Sequence, residues 1–93
     1  MPWFLYYMDL FRPVDFRAYT INDAVRAGAE IIKEILNNVN KYCIYENGEI
    51  LIIEYWSKDS ASAKLINVEE PALALEQYYE AERVGLVECS DLG

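Results

Sequence analysis

Ninety-three residues with 54% hydrophobic content make one domain, residues 1–93, with enough apolar mass for a real core. The net charge of −8, from sixteen acidic and eight basic residues, argues against direct binding of nucleic acid or an anionic membrane surface, since both need clustered Lys and Arg. The absence of histidine removes the usual general base near neutral pH, the Ser–His and Cys–His nucleophilic pairs and the commonest metal ligand.

In chain order, Trp3 to Met8 is apolar on both alternation phases and reads as a strand covered on both faces, interior to its sheet. Asp9 to Pro13 reads as a connection. Val14 to Tyr19 alternates, with Val14, Phe16 and Ala18 inward, and reads as a second strand antiparallel to the first. Thr20 is a good helix N-cap with Asp23 three residues on, and the spacing predicts a helix from Ile21 to about Asn37. Its apolar side carries Ile21, Ala24, Val25, Gly28, Ile31, Ile32, Ile35, Leu36 and Val39. Gly28 in that stripe costs helix stability, and close approach of the helix to the sheet would compensate.

Tyr42 to Trp56 forms the centre of the reading. Asn47-Gly48 is a strong hairpin signal because both residues tolerate positive φ. A turn centred on them sets Glu46 opposite Glu49, Tyr45 opposite Ile50, Cys43 opposite Ile52 and Lys41 opposite Glu54. One hairpin face then holds Tyr42, Ile44, Leu51, Ile53 and Tyr55, suited to packing on helices. The other holds Cys43, Tyr45, Ile50, Ile52 and Trp56, too apolar for plain solvent surface. Either the chain covers that face itself, or Tyr45, Ile50, Ile52 and Trp56 form a dimer or target interface. Ser57 to Ser62 reads as a polar loop and Ala63 to Val68 as a third strand of a meander. A second helix is expected from Asn67 or Glu69 to about Val84, with Pro71 in its first turn and Gly85 as its stop. Leu86 to Cys89 reads as a short edge strand, with Ser90 to Gly93 frayed. The expected fold is α+β: an antiparallel sheet of four or five strands with two helices packed on one face, in the order β-β-α-β-β-β-α.

Function is less explicit. The start Met1-Pro2-Trp3-Phe4 is unlike a signal peptide and no run approaches a membrane span, so the expectation is a cytoplasmic protein with reduced thiols. A bridge requires Cys89 to dock beside Cys43. The four glycines are too scattered for a phosphate loop, two cysteines cannot complete a zinc site, and no catalytic, cofactor or metal residues are assigned. Residues 66–93 hold seven acidic side chains against the single base Arg83. Within them Glu69, Leu73, Glu76 and Glu80 recur at helical spacing. That row is either a solubilising face or a rod of negative charge with an apolar anchor, able to imitate a nucleic-acid backbone and occupy the groove of a basic partner. Small acidic α+β proteins of this kind occur among phage anti-defence inhibitors and toxin-neutralising proteins. The strand pair followed by Ala18-Tyr19-Thr20-Ile21-Asn22-Asp23-Ala24-Val25-Arg26-Ala27 resembles a layout of short phage-type proteins. The expected function is a non-enzymatic protein-binding module, a stoichiometric inhibitor or regulator of a basic nucleic-acid-handling protein of the anti-defence or anti-CRISPR type. The alternatives are a structural or regulatory homodimer and a small-ligand sensor.

Overall fold

The computed structural model describes residues 3–8, 10–14, 20–36, 38–47, 50–58, 60–68, 73, 76, 80 and 86–92. They form an α+β fold around a six-stranded, wholly antiparallel sheet. The elements are β1 (Trp3–Tyr7), β2 (Leu10–Val14), α1 (Ile21–Leu36), β3 (Val39–Asn47), β4 (Ile50–Ser57), β5 (Ser60–Asn67) and β6 (Leu86–Asp91), and the sheet order is β2-β1-β5-β4-β3-β6. Leu73, Glu76 and Glu80 are also helical. Gly48, Asp15–Tyr19 of the expected second strand, and Glu69, Pro71 and Gly85 of the expected second helix lie outside the described residues.

The sheet is larger than the four or five strands expected. The second strand is Leu10–Val14, in the stretch read as a connection. Pro13 is admissible there because β2 is an edge and one side of its backbone needs no ladder partner. Ser60 to Ser62 belong to β5 rather than to a polar loop. At the far edge, β6 extends to Asp91, beyond the expected Cys89. The interior position of β1, between β2 and β5, is as its two apolar phases imply.

Hairpin register differs from the turn-based expectation. Asn47 pairs with Ile50, Tyr45 with Ile52, Cys43 with Glu54 and Lys41 with Trp56. From Lys41 to Asn47, each β3 residue therefore meets a partner two positions later than Asn47-Gly48 as loop residues would give. An even displacement leaves side-chain parity intact, so the two faces hold the residues assigned to them.

On the first face, Ile44, Ile53 and Tyr55 pack with Leu5, Ala63 and Leu65 against Ala24, Val25, Ala29, Ile32 and Leu36 of α1. Thr20 caps α1: the Asp23 N–H donates to Thr20 Oγ1 at 3.1 Å. The Asp23 carboxylate pairs with Arg26 at 3.2 Å instead of closing a capping box. Ile21, placed on the apolar stripe by periodicity, is 47% exposed, whereas Ala24, three residues on, is fully buried. Gly28 lies where a Cβ would meet the Tyr55 hydroxyl and would sit 2.9 Å from Leu65 Cδ2. The helix approaches the sheet at that point as closely as its backbone permits.

The second face is also closed off within the chain. Ile52, Ile66 and Val68 are at most 2% exposed and cluster with Phe4 and Ile50. The sheet is therefore apolar on both sides, as an interior layer requires.

Candidate functional site

Two places carry functional potential: the acidic helical face, and the end of the second sheet face over β3, β4 and β6.

Leu73, Glu76 and Glu80 are helical and exposed, with Leu73 at 48%. At 100° per residue the spacing 73, 76, 80 falls within one side of an α-helix, and helical spacing sets the two carboxylate positions about one turn, roughly 6 Å, apart. Neither glutamate takes part in a salt bridge among the described residues. Leu73 adds an exposed apolar group beside this charge, as a docking surface needs. Glu69, the fourth member of the row, lies outside the described residues.

The interface expected from Tyr45, Ile50, Ile52 and Trp56 is divided by burial. Ile50 is 6% and Ile52 is 1% exposed, so both belong to the core and cannot meet a partner without opening it. Trp56 remains 37% exposed and Tyr45 half-buried. The apolar character of this face is thus explained by cover within the chain at Ile50 and Ile52.

Register places a single row of side chains across all six strands of this face: Phe11, Tyr6, Lys64, Glu54, Cys43 and Cys89, each directly opposite the next. The rings of Tyr6 and Phe11 lie 4.7 Å apart, and the Lys64 ammonium stands 5.7 Å from the Tyr6 centroid while donating to Ser62 Oγ at 3.1 Å. Glu54, expected opposite Lys41, is only 4% exposed and lies between Lys64 and Cys43. A carboxylate is tolerated at such a depth only where it is paired or hydrogen-bonded. Lys41 instead stands opposite Trp56 and Asp91.

The row ends in a disulfide. Cys43 and Cys89 are bonded across β3 and β6, which overturns the expectation of reduced thiols. No family model matches the chain, and no curated protein or solved structure matches it either. Around the disulfide is an open depression of about 440 Å³, lined by Lys41, Cys43, Tyr45, Trp56, Leu86 and Cys89 among others. Spacing alone could not reveal the bridge, since the cysteines are 46 residues apart. It depended on which strand would accept β6.

Among the described residues, no group of three or more His, Cys, Asp or Glu is placed to hold a metal ion. No helix among them is long and apolar enough to cross a membrane. Among the described residues, Tyr55, on the first face, is a strongly shifted titratable group. Burial, and secondarily Tyr42, push its hydroxyl far above the usual tyrosine range. That hydroxyl donates to the Val25 carbonyl at 2.8 Å and serves packing.

Proposed function

We propose that this chain is a non-enzymatic binding module that docks a basic protein surface through the helical row Leu73, Glu76 and Glu80, extended in sequence by Glu69. The observation that carries the reading is the exposure of these three residues on one helical side, without internal ion pairs among the described residues. A carboxylate row without ion pairs among the described residues would supply on-rate and orientation, and Leu73 would supply an apolar anchor. A partner that handles nucleic acid fits best, because its groove is already shaped to receive a line of negative charge. Occupation of that groove would make the module a stoichiometric inhibitor.

The test is capture from a nuclease-treated lysate by the native chain and by the Glu76→Lys/Glu80→Lys variant, with melting curves of both. Like-charge juxtaposition at an interface costs several kcal/mol, so the variant should bind the captured partner at least about a hundredfold more weakly while melting like the native chain. Duplex DNA should compete for the same partner. Equal capture by both chains, or a partner indifferent to duplex, would remove the acidic row from the function.

A further inference from the structure

Strand β6 is held to the sheet in an unusual way. None of its six residues is buried, and Leu86 and Val87 are 53% and 58% exposed. Its side chains therefore add little hydrophobic cohesion to the edge ladder. Among the described residues three features attach it: the backbone pairing of residues 86–91 with 41–45, the Leu92 N–H donated to the Asn40 carbonyl at 2.9 Å with Leu92 packed on the helix-side core, and the Cys43–Cys89 bond. The bond is asymmetric in access. Cys43 is 5% exposed, whereas Cys89 is half-buried and both line the open depression beside Trp56 and Leu86. A reagent arriving through the depression meets Cys89 first. The core on both faces, including Ile52, Ile53, Leu65 and Ile66, is built without any residue of β6 except its flanking Leu92.

We infer that Cys43–Cys89 is a reducible latch: a dithiol reductant entering the depression opens it at Cys89 and frees β6, leaving the rest of the sheet folded and the outer edge of β3 exposed. The exchange balances without any further reactant. One thiolate of the dithiol attacks Cys89 Sγ, and the bond to Cys43 breaks with its electron pair passing to Cys43 Sγ, which takes up a proton. The second thiolate of the reductant then attacks its own sulfur in the mixed disulfide and expels Cys89, which is protonated in turn. The products are two cysteine thiols and the cyclic disulfide of the reductant, a two-electron transfer. The freed edge presents the unpaired backbone groups of residues 41–45, which an extended segment of another chain can pair by strand addition.

Dithiothreitol and native-state alkylation test this, with hydrogen exchange followed by mass spectrometry. Protein prepared without reductant should resist alkylation. After dithiothreitol, both thiols should alkylate in the absence of denaturant. Exchange in residues 86–91 should then rise at least about tenfold while β4, β5 and α1 keep their protection. Cys89→Ser should reproduce the fast exchange of β6 without reductant, and the Cys43→Ala/Cys89→Ser pair serves if the single variant cross-links between molecules. The inference fails if thiols alkylate before reduction, if they alkylate only in denaturant, or if β6 exchange is unchanged in the reduced and Cys89→Ser proteins. Loss of protection throughout the chain on reduction also overturns it, since the bond would then be a staple of the whole fold.

Discussion

Tyr55 reaches from β4 beneath α1, and its hydroxyl donates to the Val25 carbonyl at the level of Gly28, where any side chain would intrude on it. The two residues are a matched pair: glycine makes room for the ring, and the ring fills the room. Gly28→Ala should therefore destabilise by about 1–3 kcal/mol through overpacking, against the gain that alanine brings to an unconstrained helix. In a Tyr55→Phe background the penalty should shrink, because the atom nearest the new methyl is gone. Urea unfolding of the two single variants and the double variant gives the coupling, and strict additivity would contradict it. Tyr55→Phe by itself should cost about 0.5–1.5 kcal/mol, the net value of one hydrogen bond. The same residue governs alkaline behaviour. Its folded-state pKa lies above its unfolded value, so its contribution is complete below about pH 10 and is lost as pH rises beyond that, at about 1.4 kcal/mol per pH unit. Unfolding midpoints measured from pH 9 to 11 should fall more steeply for the native chain than for Tyr55→Phe.

At the scale of elements, β4 is buried on both faces, and a substitution on its second face acts on folding rather than on association. Ile52→Glu would place a carboxylate at a site 1% exposed, among Phe4, Ile50, Ile66 and Val68. It should unfold the chain or lower its stability by several kcal/mol, visible as a lost thermal transition. A soluble, folded monomer from that variant would instead indicate a surface position. Much of this level was readable from residue pattern. Thr20 as N-cap, the apolar stripe of α1, the closeness of Gly28 to the sheet and the parity of both hairpin faces followed from local chemistry. The register did not, because the Asn47-Gly48 signal implies a loop at those two residues while Asn47 pairs with Ile50. Nor did β2, whose Arg12 and Pro13 look like loop residues and are suited to an edge strand for that reason. Burial at Ile50 and Ile52, and the meeting of Cys43 with Cys89, depend on contacts between distant segments that no local pattern encodes. Of the acidic row, its exposed positions at Leu73, Glu76 and Glu80 agree with periodicity, and its use rests on the proposal above.

For the whole molecule, net charge dominates encounter with other macromolecules. At −8 with the acidic excess in residues 66–93, association with a basic partner should be steered over distances set by the screening length. Its on-rate should fall by roughly 10- to 1000-fold between low and high salt, with the off-rate much less affected. Surface plasmon resonance against the captured partner, run as a salt series, checks this. A flat on-rate would mean that apolar contact, and not charge, drives recognition.

The order of strands has a consequence for biosynthesis. The middle of the sheet, β3-β4-β5, is a contiguous meander whose pairings close over short connections, but β1 joins it only at β5, through pairings that run from Trp3 opposite Asn67 to Tyr6 opposite Lys64. The ribosome therefore delivers the N-terminal hairpin well before the strand that must shelter it. Until β5 emerges, β1 lacks its second pairing strand, and a two-stranded hairpin alone is marginal in water. The nascent chain passes through a window in which this apolar strand has an open edge, and holding factors on the ribosome would find their natural substrate there.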